Sequence, residues 1–383
     1  MKRTSKIFAV LMSALMVVFA FAGAASAEEA SGTFKIGGIG PLTGGAAIYG
    51  TAAMNGAQIA VDEINALGGA VQFEFKAEDD VHDAETSVNA YYNLMDWGMQ
   101  FLVGTVTTTP CIAVSAETNK DRVFTLTPSA SSPAVLEDKN NTFQVCFTDP
   151  NQGIASADYI AENMADAKIA VIYKNDDAYS QGIRETFIAE AAAKGLEVVY
   201  EGTFTEDTAT DFSVQLTAAQ AAGATFVFLP MYYQPASIIF AQAAAMNYAP
   251  TWFGVDGMDG ILTMEGFDTK LAEGVMLLTP FSADATDERT VNFVKTYTEK
   301  HGDIPNQFAA DGYDAVYIIY AAIQAAGVTA DMSFEELCEA VIAVMPTIAV
   351  DGLTGAGMTW AATGEVSKAP MAVVIKDGAY VTP

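Results

Sequence analysis

Short apolar runs alternate with amphipathic stretches along the chain, and this order predicts strands followed by helices. The run from Phe34 to Ile39 predicts a strand, and the stretch after it repeats apolar residues at helical spacing up to Gly68. From Val71 to Ala77 apolar and polar residues alternate, as in a strand with one buried face. After Phe147 the whole pattern begins again. Such an order predicts an α/β fold with two mostly parallel sheets flanked by helices. Further strands are predicted at 101–106, 123–127, 143–147, 168–173, 196–200, 225–229, 251–255 and 369–375, and further helices at 84–97, 151–164, 180–194, 211–222, 234–246, 287–301, 308–326 and 334–345.

Two of the predicted strands end in loops of small hydroxyl residues. The strand at 101–106 is followed by Thr107-Thr108-Thr109-Pro110, with Thr109 expected at the helix N-cap and Pro110 at the first helical position. The strand at 123–127 is followed by Pro128 and a loop from Ser129 to Ser132. Ordinary polar turns have this composition too. Ligands of open α/β sheets bind at the carboxyl edge of the strands, so two such loops side by side predict a neutral, donor-rich anion site.

The first residues have the composition of an export signal. Lys2, Arg3 and Lys6 precede an apolar run from residue 7 to 22, and Ala25-Ser26-Ala27 fits a cleavage site. We therefore interpret residues 1–27 as a signal peptide and not as a membrane span. No cysteine stands near the cleavage site, so a lipid anchor is not expected. The mature protein is expected to begin near Glu28 and to be soluble outside the cytoplasm.

Composition narrows the class of partner. The chain has 383 residues, of which 51% are hydrophobic, which suffices for two domains with real cores. Its 18 Lys and Arg against 47 Asp and Glu give a net charge of −29, or −32 once the three cations of residues 1–27 are removed. A charge of this sign argues against nucleic acid and anionic membranes as partners. Three cysteines are too few for a disulfide scaffold, although one bridge remains open in an oxidising compartment.

Motifs of catalysis are not evident. Thr43 stands where the dinucleotide pattern that starts at Gly38 needs its third glycine, and Ala46 stands where the phosphate-loop pattern needs a lysine. The two histidines, His82 and His301, form no paired spacing with the cysteines that would suit a metal. We therefore expect no metal, no cofactor and no enzymatic activity, with an exported enzyme as the less favoured alternative.

The motifs taken together resemble those of a known family. The chain resembles the type I periplasmic binding proteins, in particular the leucine/isoleucine/valine-binding family that feeds ABC transporters. The resemblance covers nearly the whole chain after residue 27. Each of its motifs is a weak signal alone, but their order along the chain is a strong one. The motifs that carry it are Ile39-Gly-Pro-Leu-Thr-Gly44, Ala60-Val-Asp-Glu-Ile-Asn-Ala-Leu-Gly-Gly69, Asp79-Asp80, Thr127-Pro-Ser-Ala-Ser-Ser-Pro133, Asp149-Pro-Asn-Gln-Gly153, Asn175-Asp-Asp-Ala-Tyr-Ser-Gln-Gly182, Asp211-Phe-Ser and Ala309-Ala-Asp-Gly-Tyr-Asp-Ala-Val316.

This resemblance implies two Rossmann-like lobes joined by three hinge crossovers, with the ligand held between them. The crossovers are expected near Thr148–Asp149, Thr279–Phe281 and Ala362–Glu365. The apolar run at 274–281 is expected to carry the chain back to the first lobe. The implied domains are lobe 1 (28–148 plus 281–362) and lobe 2 (149–280 plus 363–383).

The resemblance also implies how an amino acid is held. The α-carboxylate would meet Thr108 and Ser131, and the α-ammonium would meet the Ser129 carbonyl and Asp256. Each aromatic residue assigned to the pocket wall has plain core packing as its alternative. The full set of implied ligand-binding residues is Thr108, Ser129, Ala130, Ser131, Asp256, Tyr49, Tyr179, Tyr232 and Phe308.

Some features of this sequence depart from the family. Some members carry a disulfide at the positions that hold His82 and Thr107 here, so that bridge is absent. We expect a disulfide between Cys111 and Cys146 instead, which would leave Cys338 as the free thiol; three buried free cysteines are the alternative. Ser131 stands where some relatives have a threonine, which loosens any inference about ligand size.

The absence of Lys and Arg from the implied pocket loops restricts the ligand. Aspartate or glutamate would bury an unpaired charge. A basic side chain would need another carboxylate, and the nearby Asp176 and Asp177 are expected to face solvent. The prediction is a monomeric binding protein for leucine, isoleucine or valine that delivers it to an ABC transporter permease. A receptor that reports its ligand to a signalling partner, or a binding protein for a short amide, urea or an aromatic acid, are the alternatives.

Overall fold

Two separate sheets organise residues 29–381, the part of the chain that the computed structural model describes. The first sheet has five parallel strands in the order β2-β1-β3-β4-β5. Its two central short strands, β3 and β4, are buried along their whole length, as expected of a parallel sheet covered on both faces. The strands are β1 (Gly32–Gly40), β2 (Val71–Asp79), β3 (Phe101–Gly104), β4 (Phe124–Thr127) and β5 (Thr142–Gln144).

The second sheet has seven strands in the order β12-β11-β10-β9-β8-β6-β7. Its strands are parallel except at one edge, where β11 runs antiparallel to both β10 and β12. The predicted α/β class with two mostly parallel sheets is therefore confirmed. The strands are β6 (Lys168–Lys174), β7 (Glu197–Phe204), β8 (Phe226–Leu229), β9 (Thr251–Gly254), β10 (Met276–Thr279), β11 (Met371–Lys376) and β12 (Ala379–Val381).

Helices cover both sheets, and their packing separates two lobes. The first sheet carries α1, α2, α3, α8, α9 and α10, whereas α4 to α7 pack with one another and with the second sheet. We call these two assemblies the first and the second lobe. No helix among the described residues is long and apolar enough to cross a bilayer. The helices are α1 (Ala47–Ala66), α2 (Ala84–Trp97), α3 (Thr108–Asp121), α4 (Asp149–Asn163), α5 (Ala178–Lys194), α6 (Ser213–Ala221), α7 (Tyr233–Ala245), α8 (Glu288–His301), α9 (Gln307–Ala326) and α10 (Phe334–Val344).

Helices α1 and α9 cross at very close range because each has a glycine at the contact. A Cβ on Gly56 would overlap the carbonyl oxygen of Ala309, and a Cβ on Gly312 would overlap that of Ala53. Only glycine fits at such a backbone approach. The crossing also brings Phe308, in the first turn of α9, into ring contact with Tyr49 of α1.

Within the described residues the chain passes between the lobes at 145–148, 280–287 and 367–370. The third passage is tied to the first, because Gln144 donates its N–H to Gly364 (2.9 Å) and accepts a hydrogen bond from the Trp360 indole on its carbonyl (2.8 Å). The exact domain boundaries given above remain a prediction. The predicted leader, residues 1–27, lies outside the described residues.

Several element ends differ from the prediction. The run at 274–281 forms β10 of the second sheet before the chain returns to the first lobe, and the edge strand β12 was not predicted. Helix α3 begins at Thr108 with Thr107 as its N-cap, two residues earlier than expected, and Pro110 falls on its third residue. A proline is tolerated there because the first-turn N–H groups have no partner within the helix.

Candidate functional site

The two hydroxyl loops meet because β3 and β4 are parallel neighbours, so that both carboxyl ends lie at one edge of the sheet. The Thr127 hydroxyl joins the loops: it donates to the carbonyl of Thr105 (2.7 Å) and accepts from the N–H of Ala130 (2.9 Å). The Thr105 hydroxyl donates in turn to the carbonyl of Thr107 (3.1 Å). These bonds fix the loop conformation from within, and the first turn of α3 begins directly at this edge.

A small cavity of about 10 Å³ lies between this edge and the second lobe. Both lobes contribute to its walls, as expected of a ligand site at the carboxyl ends of strands. Seven of the nine predicted ligand residues line it. The lining residues are Tyr49, Val106, Thr107, Thr108, Ser129, Tyr179, Tyr232, Asp256, Gly257 and Phe308.

Aromatic rings form a continuous wall across the boundary of the lobes. The rings of Tyr49 and Phe308, from α1 and α9, have centroids 4.5 Å apart. The Tyr49 ring also meets Tyr232 of the second lobe at 5.3 Å, and Tyr232 stacks on Tyr179 at 4.8 Å. Such rings offer an apolar surface with a polar tip.

The second lobe contributes an acidic end to the cavity. Asp256 follows β9 and is almost fully buried. The Tyr179 hydroxyl donates to its Oδ1 (2.5 Å) and accepts from the N–H of Gly257 (2.9 Å). The backbone of Asp256 is held by Gln152, whose Oε1 accepts from its N–H (3.1 Å), and by Gln307, whose amide donates to its carbonyl (2.7 Å). Burial raises the pKa of Asp256 to about 6, although the hydrogen bond from Tyr179 opposes this shift.

Two further carboxyl groups are buried near Asp256, and their burial favours the neutral form. Asp149, the first residue of α4, is fully buried, and burial raises the pKa of its carboxyl well above the usual range. Burial likewise raises the pKa of Asp177. Both carboxyls and that of Asp256 act together on Tyr232, whose pKa is raised first by burial and then by these three groups. The cavity therefore has one neutral end with hydroxyl groups and one end that favours a cation.

The expectation that Asp176 and Asp177 both face solvent is half wrong. Asp176 is exposed, but Asp177 is buried because it is the N-cap of α5, where its Oδ2 accepts from the N–H of Ser180 (3.1 Å). An aspartate directly before a helix is a strong capping signal, and this signal was available in the sequence.

Ala130 and Ser131, both predicted to bind the ligand, do not line the cavity. The backbone of Ala130 is engaged within the first lobe, since its carbonyl accepts from the side-chain amide of Gln144 (2.8 Å). Ser131 is fully buried, and its carbonyl accepts from the N–H of Asp149 (3.0 Å).

Val106, Thr107 and Gly257 line the cavity without having been predicted as ligand residues. Thr107 was recognisable as part of the hydroxyl loop, but the motif position pointed to Thr108 alone. The Nδ1 of His82 lies 2.9 Å from the Thr107 hydroxyl. The two positions at which some relatives carry a disulfide are thus neighbours here, joined by a hydrogen bond.

The expected disulfide between Cys111 and Cys146 is wrong. Both residues and Cys338 are buried free thiols. Cys111 packs against Ala130, Val135 and Leu136, and burial raises its pKa to about 11. Cys146 lies instead among the charges of the hinge region, near Asp311. The two thiols occupy different environments, which their positions along the chain did not reveal.

Metal ligation finds no support in residues 29–381, where no three His, Cys, Asp or Glu side chains come together in a way that could hold a metal ion. A cavity closed between two α/β lobes, with donors at one end and a carboxylate at the other, defines the class of the protein. It is a two-lobed binding protein for a small molecule.

Comparisons with known proteins give the family. The sequence profile of the family described as "Periplasmic binding protein" matches residues 33–379. The chain is 31% identical over 323 residues to the Leu/Ile/Val-binding protein homolog 3 of Brucella melitensis, which covers 83% of this chain and 84% of that protein. It is 28% identical to the leucine-, isoleucine-, valine-, threonine-, and alanine-binding protein of Pseudomonas aeruginosa, over 82% of this chain and 84% of that protein. The chain belongs to the periplasmic binding protein family.

Solved structures agree with this assignment. The branched-chain amino acid transporter substrate binding protein LivJ of Streptococcus pneumoniae, in complex with isoleucine, superposes with a TM-score of 0.81 at 27% identity, covering 92% of this chain and 100% of that chain. A solute binding protein of an ABC transporter from R. palustris, in complex with benzoate, has the same TM-score at 21% identity, covering 91% and 95%. The second likeness concerns the fold alone.

Proposed function

We propose that this chain is the substrate-binding component of an ABC importer and captures a neutral aliphatic amino acid between its lobes. The observation that carries the proposal is the cavity itself, with hydroxyl groups on one lobe and the Asp256 carboxylate on the other. A zwitterion needs this arrangement, because its two charged ends require opposite partners.

The neutral end suits an α-carboxylate. Thr107, Thr108 and Ser129 present hydroxyl and backbone groups there, and α3 begins at Thr108. The first N–H groups of a helix and the positive end of its dipole bind an anion without a buried cation. The proposal keeps Ala130 and Ser131 of the second hydroxyl loop as ligand residues, with Ser131 as a partner of the carboxylate. In the proposal Asp256 and the Ser129 carbonyl receive the ammonium group.

The remaining walls favour an apolar side chain. Tyr49, Tyr232 and Phe308 cover the rest of the cavity, and none of the lining residues is Lys or Arg. A ligand with a second carboxylate would bury it unpaired, at a cost that excludes aspartate and glutamate. The relatives named for leucine, isoleucine and valine support the same class of ligand.

The proposal includes the setting of the protein. Residues 1–27 would direct export, and the mature chain would act in the periplasm as a monomer that meets a membrane permease. It would bind and release its ligand without turnover. Membership of the periplasmic binding protein family supports this setting.

A thermal-shift screen of amino acids followed by isothermal titration tests the proposal. L-Leucine, L-isoleucine or L-valine should saturate the protein in the micromolar range or tighter, with modest discrimination, since one methylene contributes only about 1–3 kcal/mol. Glutamate and lysine should not bind. If all three aliphatic amino acids fail while benzoate, urea or a short amide saturates the protein, the amino-acid proposal is wrong. Mass spectrometry of the ligand after prolonged incubation would reveal turnover, which would instead favour an enzyme.

A further inference from the structure

Tyr49 does more than line the cavity. Its ring is buried in the first lobe, but both hydrogen-bond partners of its hydroxyl belong to the second lobe. The hydroxyl donates to the carbonyl of Gly257 and accepts from the N–H of Tyr233 (3.1 Å). Tyr233 is the first residue of α7, so its N–H has no acceptor within that helix.

Tyr233 makes the reciprocal connection. Its hydroxyl donates to the carbonyl of Gly45 in the first lobe (2.8 Å), in the loop that leads into α1. The rings of Tyr49 and Tyr233 meet edge to face with centroids 5.0 Å apart. Each tyrosine therefore reaches across the cleft to backbone of the opposite lobe. Neither Tyr233 nor Gly45 lines the cavity.

We propose that Tyr49 and Tyr233 form a ligand-independent clasp that sets the balance between closed and open lobes, and thereby the rate at which ligand is released. When the lobes separate, every bond of the clasp is exchanged for bonds to water. One neutral hydrogen bond of this kind changes an equilibrium by about two- to tenfold. The clasp therefore biases closure without deciding it, and a bound ligand supplies the remainder.

This inference rests on the proposed function only for its effect on ligand release. A protein whose competent closed state is partly populated binds with an affinity scaled by that fraction. Where the ligand-free lobes are mostly open, removing one bond of the clasp should lower affinity by the same two- to tenfold factor, chiefly through faster dissociation.

The chain offers a matched pair of variants. Tyr233→Phe removes a hydroxyl that bonds a carbonyl of the other lobe, whereas Tyr248→Phe removes one that bonds the carbonyl of Ala224 within the same lobe (3.0 Å). Both variants keep the ring. Spin labels at Leu67→Cys and Val214→Cys would report the distance between the lobes, because these residues are exposed in the first and second lobe and the native cysteines are buried.

Pulsed electron paramagnetic resonance distances between the two spin labels, measured on the full ligand-free chain, give the first readout. Tyr233→Phe should lower the ratio of closed to open distances two- to tenfold, and Tyr248→Phe should leave it unchanged. Stopped-flow dissociation of L-isoleucine gives the second readout, and the dissociation rate should rise two- to tenfold in Tyr233→Phe but not in Tyr248→Phe. If the ligand-free protein shows no closed population, this rate is the deciding readout. The proposal is overturned if Tyr233→Phe matches wild type or Tyr248→Phe in the deciding readout. If no amino acid binds, the distance measurement still tests the clasp while the proposed function fails.

Discussion

The two ends of the cavity are built to receive opposite charges, and they do so by different means. At the first-lobe end, small neutral groups on two loops share the task with the start of α3, and no cation is present among the lining residues. At the second-lobe end, a single carboxylate, that of Asp256, lies buried with a tyrosine hydroxyl at 2.5 Å. One end distributes recognition over several groups, and the other concentrates it in one residue.

This difference determines how each end behaves without a ligand. Neutral hydroxyl groups can satisfy one another, as Thr105 and Thr127 do in the loops. A buried carboxylate cannot be satisfied in this way, because burial disfavours its charge. The pKa of Asp256, raised to about 6 by burial, reflects this cost. We therefore expect the acidic end to depend on one side chain and the neutral end to tolerate the loss of any single group.

The largest effect is expected from Asp256→Asn. The variant removes the charge that pairs with the ligand ammonium but keeps the shape of the side chain. Truncation of one partner of a desolvated charge pair costs about 2–5 kcal/mol, so affinity for L-isoleucine should fall at least thirtyfold in a calorimetric titration. Asp259→Asn is the matched control, because burial also raises the pKa of Asp259 to about 6 but it does not line the cavity. Equal losses in both variants would contradict the role of Asp256.

A smaller effect is expected from Thr108→Val at the neutral end. One hydrogen bond to a charged group contributes about 1.5–3 kcal/mol, and the neighbouring hydroxyl and N–H groups remain to hold the carboxylate. The matched control is Thr109→Val, since Thr109 is exposed and does not line the cavity. If Thr108→Val costs more than Asp256→Asn, recognition is not distributed at this end.

The pH dependence of binding should come from the acidic end. Asp256 must be ionised to pair with an ammonium, and its pKa is about 6. Affinity should therefore be nearly full at pH 7 and fall as pH is lowered through 6, by about tenfold per pH unit below it, or about 1.4 kcal/mol at pH 5. Titrations between pH 5 and 8 would measure this, and Asp256→Asn should remove the dependence. A fall in affinity that persists in Asp256→Asn would assign it to another group.

Sequence patterns predicted the fold well because buried positions recur with one period in strands and another in helices, and both periods are visible in the sequence. The strand at 225–229 is β8 almost to the residue, and the helix at 308–326 is α9. Errors concentrate at ends, where local capping decides. Thr107 rather than Thr109 stands at the N-cap position of α3, although its side chain makes no capping hydrogen bond there. The edge strand β12 is a three-residue hairpin partner of β11 with little pattern of its own.

The candidate site was predicted less evenly, for a geometric reason. A motif places a loop at the edge of a sheet, but the path of that loop decides which neighbour faces the cavity. Ser129 lines it, whereas Ser131, two residues on, is fully buried and does not. The prediction of a disulfide was wrong for a similar reason. A bridge requires the two cysteine Cα atoms to lie close together in space, and spacing along the chain does not show this. Tyr233 was missed because its hydroxyl acts between lobes and not on the ligand.

The smallest effect is expected from Tyr179→Phe, and it separates two readings of the acidic end. The Tyr179 hydroxyl donates to Asp256 and so stabilises its ionised form, against the effect of burial. Losing one such bond should cost about 0.5–1.5 kcal/mol of affinity at pH 7. The pKa of Asp256 should also rise, so the pH at which binding weakens should move upward from about 6. A tyrosine that only packs against Tyr232 would lower affinity equally at every pH. Tyr179→Phe would therefore be titrated between pH 5 and 8. If binding weakens at the same pH as in the wild type, Tyr179 only lines the cavity and does not stabilise the ionised form of Asp256.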